Sequence, residues 1–600
     1  SKRVGLLLLI YLKMNWLVPS RLQTAEDDTD FPYYRYIDTP DFSYRQWLDL
    51  CKDQYGGKIG SDVNGPNNKV AIIGAGIAGL SAAYELQKCG VDATVYEAND
   101  ESRIGGRLYS KRYDENSSDI AEFGAMRFPP SEELLFHYLD LFNIEHQDPF
   151  PDPLSPNIET LISYQGSLVT AEQINGQVIY SSDKENDPNI AALQKLSDGW
   201  SSFILSGATV SFINQSGQTK IATLEAPDIL RQALIQTDAQ VPDTNMLTQQ
   251  WQLYIDVFSE KSFLEALRMI FSSGNSVPGG SFWNFPEDYD RFAAVGAGFG
   301  GFGPLFSVSF LEVMRLYING LEYMQKEVPA GIQTLPMMLY QATKQANDDV
   351  SIVQTKTPVS GIMVQGDQVT VQLPDGSAIY DCVIVATTNR AMEIDLGLSN
   401  FNGKSLRNSG FQGAVLDSTS AEAIREISML NSSKVFVRTP SAFWQDEKIS
   451  NERCILSDTL SANLYTLTYD ESDYGVVLIS YVWGDQSDKQ TSFKDSQSRF
   501  ELLQREIATI DPQFAAKLIP LDKDYDTNVQ FIDWQDEPHF YGGFKWHKPG
   551  QDHHVQSTFF DYKSATANNK RVFIAGDSVS WSGGWTEGAL QTGMNAACAA

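Results

Sequence analysis

Six hundred residues exceed what a single hydrophobic core holds together, so two or three intimately joined domains are expected. The composition, 42% hydrophobic and 12% aromatic, is that of a globular chain able to bury large cores and line apolar pockets. Forty-five Lys and Arg against 76 Asp and Glu leave a net charge of −31, which repels nucleic acid and anionic membranes and argues against polyanion partners.

The chain starts Ser1-Lys-Arg-Val-Gly-Leu-Leu-Leu-Leu-Ile-Tyr-Leu12, a basic end and a short apolar run that reads as an imperfect export signal. Lys13 and Asn15 interrupt it, and it is too short to span a bilayer. A docked helix or strand is an equal expectation, and localisation stays open between secreted, periplasmic and cytoplasmic. Residues 1–64 read as an N-terminal extension, in which Tyr44-Arg-Gln-Trp-Leu-Asp-Leu-Cys51 predicts a short amphipathic helix and residues 56–68 a turn-rich linker.

Lys69-Val-Ala-Ile-Ile-Gly-Ala-Gly-Ile-Ala-Gly-Leu80 follows. Residues 70–73 read as a buried parallel strand that runs into Gly74-x-Gly76-x-x-Gly79 and then a helical segment. Gly74 permits the tight turn, Gly76 lets a diphosphate approach the backbone, and Gly79 lets helix and strand pack closely. The phosphates would lie against the N–H groups at the positive end of the helix, near Ile77 and Ala78. A second strand over residues 93–96 ends at Glu97, the acid that would hold a ribose hydroxyl, with Ala98 beside it. Strand, glycines, helix, strand and acid in this order predict a dinucleotide site.

Gly105-Gly106-Arg107 and Ala121-Glu-Phe-Gly-Ala-Met-Arg-Phe128 come next, before Pro129-Pro130 stops the segment. Helical patterns then dominate to about residue 345, as over 307–325 and 331–346. Within this stretch Gly296-Ala-Gly298-Phe-Gly-Gly301 repeats the glycine spacing. No clean strand precedes it and Pro304 soon follows, so a loop or close backbone approach is expected. From residue 350 the texture turns to β, with strands over 351–355, 359–364, 368–373 and 378–386 and a hairpin turn at Asp375-Gly376. Further strands are expected at 434–438, 475–483 and 571–575, and a helix from Thr586. Five scattered cysteines give no disulfide framework, and the six histidines, with one pair at His553-His554, give no metal-ligand spacing.

These blocks together resemble the flavin amine oxidase family, in particular its L-amino acid oxidase branch, near the bacterial L-amino acid oxidases and monooxygenases. The resemblance rests on the glycine fingerprint with Glu97, then Gly105-Gly106-Arg107, Gly124-Ala-Met-Arg127, Gly331-Ile-Gln-Thr-Leu-Pro336 and Thr357-Pro-Val359. It continues through Ser433-Lys434-Val-Phe, Phe443-Trp444, Tyr481, Ala575-Gly576-Asp577 and Gly583-Gly584-Trp585. It implies an α/β fold, α+β overall. A Rossmann-type FAD-binding domain would be built from the discontinuous segments 65–130, 350–400 and 541–600. Residues 131–349 would form a mainly helical, substrate-binding insertion, and 401–540 a mixed-sheet substrate domain.

The resemblance also implies roles. Glu97 would accept from the adenosine ribose and the backbone of Val359 would meet the adenine. Gly106 and Arg107 would face the diphosphate or the flavin edge, and Gly124, Ala125, Met126 and Arg127 belong to the cofactor site. Gly576 and Asp577 would bind the ribityl or phosphate region, with Asp where the family more often has Glu. The helix from Thr586, carrying Ala589, would aim its N-terminus at the flavin ring. Surface ion pairing is the alternative for Glu97, Arg107 and Asp577.

For the substrate, a guanidinium at Arg127 in an apolar context matches a carboxylate bidentately; its family counterpart holds the α-carboxylate. Tyr481 would add a second donor, the Gly584 carbonyl would accept from the α-amine, and Trp585 would wall the pocket. Lys434, ahead of an apolar run, is costly to bury without a task; its counterpart serves reoxidation by dioxygen. The plain alternatives are a core acid pairing Arg127, sheet packing for Tyr481 and an edge-strand surface lysine at 434. The reaction expected is oxidative deamination of an L-amino acid to a 2-oxo acid with ammonia and hydrogen peroxide. The α-hydrogen would leave as hydride to flavin N5, with no histidine assigned. An amino-acid 2-monooxygenase giving an amide is the nearest alternative, a polyamine or monoamine oxidase a further one, and a flavoprotein without turnover the last. The loop over 296–306, with Phe299, Phe302, Leu305 and Phe306, is expected to roof the pocket, and a homodimer is expected from the family.

Overall fold

The computed structural model describes residues 33–62, 69–114, 117–147, 153, 158–174, 177–184, 186–236, 243–298, 300–344, 351–399, 415–445, 452–469, 472–556 and 571–600. The signal-like start and Phe299 lie outside them. The helix expected at residue 44 runs over Tyr44–Tyr55, with the Ser43 hydroxyl accepting from Gln46 N and the chain turning left-handed at Gly56.

The apolar runs that read as buried strands form one five-stranded parallel sheet, ordered Val353–Gln354, Asp92–Tyr96, Lys69–Ile73, Cys382–Val385, Val572–Ile574. Its strands come from three distant stretches of chain. Helix Ile77–Lys88 packs against the C-terminal helix Thr586–Ala599, and they approach closely at Gly593, where a Cβ would stand 2.5 Å from Ala78 O. The single strand expected over 378–386 is two. Gly376–Tyr380 completes an antiparallel sheet with Gly361–Gln365 and Gln368–Leu373, while Cys382–Val385 enters the parallel sheet. The break falls at Asp381, whose N–H donates to Lys69 O at 2.9 Å and whose Oδ2 accepts from Lys69 N at 2.8 Å, clamping the chain as it changes sheets.

A second sheet has eight strands, ordered Val529–Asp533, Ser432–Thr439, Gly475–Trp483, Asn463–Leu467, Glu452–Ser457, Ile158–Tyr164, Ser167–Ile174, Gln177–Ser181. Three of these come from the stretch that read as mainly helical, and a further hairpin, Ala208–Ile213 with Thr219–Leu224, lies there too. Ile158–Tyr164 is buried at almost every position, so it lacks the apolar–polar alternation that announces a half-exposed strand. The helices around it enclose an aromatic core in which Phe302 stacks on Phe292 (ring centroids 4.9 Å apart) and meets Phe263 edge-on at 5.7 Å. Phe302 and Phe306 therefore pack into a core rather than roof a cavity, a correction to the expected roof loop. Gly296, at φ 61, ends helix Glu287–Val295, so the second glycine cluster is a helix stop.

Candidate active site

The C-terminal ends of the parallel strands open onto a long cavity, the crevice where open α/β sheets take their ligands. Of the residues expected to hold a cofactor, Gly74, Gly76, Ile77, Ala78, Glu97, Ala98, Gly106, Arg107, Gly124, Ala125, Val359, Gly576, Asp577, Gly584, Trp585, Thr586 and Ala589 line it, as do Lys434 and Tyr481. Gly79, Met126 and Arg127 are not part of that lining.

The three glycines divide their tasks by space. A Cβ on Gly74 would stand 2.7 Å from Ala386 O, and one on Gly79 would stand 2.1 Å from Gly74 O. Both are fixed by contacts within the protein. A Cβ on Gly76 would meet nothing within 4 Å. Its bareness faces the cavity, where a diphosphate would need the room. Glu97, 7% exposed, accepts from Ala75 N at 2.8 Å and from Asn99 N at 2.9 Å, tying the glycine turn to the end of its strand.

Arg107 and Asp577 are engaged with each other. The guanidinium forks onto both Asp577 oxygens and donates to Gly543 O at 2.8 Å, while Asp577 also accepts from Gly584 N at 3.2 Å. Arg107 thus lines the cavity while paired with Asp577, joining the Gly105-Gly106-Arg107 turn to the Gly583-Gly584-Trp585 loop along the cavity wall. The shorter Asp places its carboxylate where this fork reaches it.

The positive end of helix Thr586–Ala599 is also partly answered from within. Glu132 accepts from Glu587 N at 3.1 Å, and Glu587 in turn accepts from Leu134 N at 3.0 Å and Leu135 N at 3.1 Å at the start of helix Glu133–Leu141. Each helix is capped by a glutamate belonging to the other. Both carboxyls are fully buried. Burial pushes Glu587 up to about 8 and, with the Glu587 charge beside it, raises Glu132 well above the carboxylate range.

At the other end of the cavity, neighbouring strands place Lys434 directly opposite Tyr481. Strand Ser432–Thr439 is second in its sheet and wholly buried, and Lys434 is 2% exposed, so the edge-strand reading fails. Its Nζ donates to Gly124 O at 2.6 Å and Glu122 O at 3.0 Å, and lies 4.9 Å from the Tyr481 ring centre. Burial, with Arg127 acting in the same direction, holds this ammonium well below the usual lysine range; the buried Glu122 carboxyl is pushed up, also by burial. Arg127 donates to Tyr465 Oη at 3.0 Å, and its field favours ionisation of Tyr481, although burial raises that hydroxyl overall. Arg127, Lys434 and Tyr481 are thus brought together. Tyr481 meets Trp483 edge-on at 5.4 Å, and Trp483 meets Phe544 edge-on at 5.5 Å. Trp483, Phe544 and Trp585 abut the aromatic core that holds Phe263 and Phe292.

Sequence reading missed Tyr465, Phe123, Trp534 and Phe540. Tyr465 is one residue of an unmarked strand, and only its pairing with Gly475–Trp483 brings it to Arg127. Trp534 Nε1 donates to Phe123 O at 3.1 Å, a contact across 411 positions that no local pattern signals.

A family model of flavin-containing amine oxidoreductases matches residues 77–600. The chain is 35% identical over 570 residues to a tryptophan 2-monooxygenase of Pseudomonas savastanoi, covering 93% of each. It is 25% identical over 643 residues to a phenylalanine 2-monooxygenase precursor of a Pseudomonas species, covering 88% of this chain and 86% of the other. Among solved structures, a putrescine oxidase variant with redesigned cofactor binding superposes with a TM-score of 0.57 at 16% identity, covering 89% of this chain and 99% of that one. A cyclohexylamine oxidase from Brevibacterium oxydans gives 0.55 at 18% identity, covering 89% and 98%. The protein belongs to the flavin-containing amine oxidoreductase family. Its cofactor is FAD, and the bare approach at Gly76 above a helix N-terminus fits that dinucleotide.

Proposed function

We propose that this protein is an FAD-dependent 2-monooxygenase of aromatic L-amino acids, with L-tryptophan as first candidate. It would convert amino acid and dioxygen to the amide one carbon shorter, carbon dioxide and water. The observation that carries this reading is the conjunction of Tyr481 and Lys434, which line one end of the cofactor cavity within the field of Arg127 behind them, with Phe544 and Trp585 on the same lining and Trp483 packed against Phe544. The similarity to tryptophan and phenylalanine 2-monooxygenases supports it.

Held by the glycine turn and Glu97 at one end of the cavity, FAD would supply the two-electron redox chemistry between the substrate α-carbon and dioxygen. The remaining tasks fall to the chain. Arg127 grips the substrate carboxylate with two parallel N–H donors, and Tyr481 adds its hydroxyl. That grip orients the α-carbon, where proximity and alignment carry much of the rate. The aromatic wall takes a flat side chain and excludes water from the imino acid. Lys434, with its ammonium disfavoured by burial, holds a proton at Nζ that it can surrender near neutral pH, where dioxygen is reduced.

The deaminating oxidase uses the same residues and differs in whether the imino acid escapes before losing carbon dioxide. Aerobic turnover of L-tryptophan by the holoenzyme, with products separated by chromatography, distinguishes them. Indole-3-acetamide without free peroxide is the expected result; the 2-oxo acid with stoichiometric peroxide makes the protein an oxidase.

A further inference from the structure

One turn on the cavity wall lies outside the glycine fingerprint and outside the substrate end. Residues 537–541, Glu-Pro-His-Phe-Tyr, present His539 and Phe540 to the cavity. His539 and Tyr541 both adopt left-handed backbone, at φ 68 and 57, without being glycine. Such a conformation costs a residue with a side chain and persists only where its surroundings enforce it, commonly at ligand clamps. Here the enforcement is visible. Asp395, just past helix Asn389–Ile394, meets His539 Nδ1 at 3.0 Å through one oxygen and accepts from Tyr541 Oη at 2.8 Å through the other. Thr388 Oγ1 donates to Phe540 O at 2.9 Å, and Arg390 donates to Tyr541 O.

This clamp stands on the diphosphate turn. Phe540 Cε1 lies 3.9 Å from where a Cβ of Gly106 would be, and that same point is 3.2 Å from Gly76 Cα. With Nδ1 held by the Asp395 carboxylate, the ring orientation is fixed, and Nε2 is the atom that would address the cofactor. We infer that His539, oriented by Asp395, is a diphosphate-binding residue for FAD, its imidazolium donating from Nδ1 to Asp395 and from Nε2 to a phosphate oxygen. A charge-assisted donor is the chemistry an anionic diphosphate selects. The assignment concerns cofactor binding and holds whether the enzyme is a monooxygenase or an oxidase.

The test uses holoenzyme. FAD release is read as recovery of free-flavin fluorescence, and the two phosphorus resonances of bound FAD are followed by ³¹P NMR. His539→Ala is expected to raise the FAD Kd by about 10- to 100-fold, the range of one charge-assisted hydrogen bond, and to shift one phosphorus resonance. His539→Gln, which keeps a donor near the Nε2 position, is expected to recover at least part of both. Asp395→Asn, which leaves the imidazole in place but removes its orienting charge, is expected to raise the Kd less than His539→Ala does. Tyr541→Phe, which removes the other partner of Asp395, is expected to stay within about twofold. A His539→Ala Kd within twofold of the parent overturns the inference. So does a raised Kd with both phosphorus resonances unmoved, because the contact would then lie elsewhere on FAD. Should His539→Ala yield no folded protein, the resonances of the His539→Gln and Asp395→Asn holoenzymes decide; both unmoved refutes the assignment.

Discussion

At the scale of single residues, Gly76 and Gly79 separate function from folding although they belong to one motif. Gly79 has the Gly74 carbonyl 2.1 Å from its would-be Cβ, whereas Gly76 has open space. Gly79→Ala is therefore expected to lower the apoprotein's thermal midpoint by several degrees or prevent folding, as overpacking does. Gly76→Ala is expected to leave that midpoint unchanged while the purified protein loses its yellow colour. Calorimetry with absorbance near 450 nm reads both, and equal destabilisation by the two would refute the division. Arg127 makes the corresponding distinction for substrate. Arg127→Lys keeps the charge but loses the planar fork, so kcat/KM for L-tryptophan should fall about 10²-fold or more, with the flavin spectrum retained. Arg127→Ala should fall further. Steady-state kinetics on holoenzyme check this, and an undiminished kcat/KM in either variant removes Arg127 from the carboxylate site.

Secondary-structure elements were legible in proportion to how local their causes are. The strand–glycine–helix unit from Lys69 to Lys88, the strand Gly475–Trp483 and the C-terminal helix follow from apolar runs and turn residues next to one another in sequence. Ile158–Tyr164 was lost because burial on both faces erases periodicity, and the break at Asp381 was lost because its cause is Lys69, 312 positions away. The crossed caps of Glu132 and Glu587 are of the same kind, since each glutamate serves a helix remote in sequence. They carry a pH signature whose sign follows from the direction of the shift. A carboxyl raised in the folded state binds more protons there than when unfolded, so its contribution to stability is complete below the unfolded value near 4.3 and is lost as pH rises. For Glu587 the loss runs up to about 8. Glu587→Gln is thus expected to be more stable than the parent at pH 8, by on the order of 1–3 kcal/mol, with the difference shrinking toward pH 5. Urea unfolding at the two pH values tests it, and a variant equally destabilised at both would show that the carboxyl is ionised in the folded protein.

Over the whole molecule, the cofactor site is a meeting point of segments that the sequence keeps far apart, and ionic contacts buried behind it join them. Glu312, on helix Phe310–Ile318, meets Lys545 Nζ at 2.5 Å and His547 Nδ1; His547 Nε2 reaches Asp552 at 2.6 Å. Arg315 joins Asp552 at 3.3 Å to Asp38 at 2.8 Å, near the start of the described chain. Lys545 also donates to Ser580 O at 2.9 Å and backs directly onto Gly583, where a Cβ would stand 2.3 Å from Lys545 Cδ. The loop carrying Gly584 and Trp585 therefore rests on this network. None of it was legible beforehand, because each charge reads as an ordinary surface residue until the fold buries it. The partners His547 and Lys545 hold the Glu312 carboxyl down to about 2 against the opposing effect of burial. A carboxyl lowered in the folded state contributes stability that is present above its unfolded value and is lost as pH falls toward its folded one. Glu312→Gln leaves two buried bases facing a neutral amide and is expected to cost about 3–5 kcal/mol at pH 7. The deficit should narrow as pH falls through 4 toward 2, where the parent loses the same charge, and flavin should leave the variant faster because the Trp585 loop loses its support. Denaturant unfolding across that pH range, with flavin release at pH 7, measures both. A deficit that does not change with pH would mean Glu312 acts through packing alone, and unaltered flavin release would uncouple the network from the site.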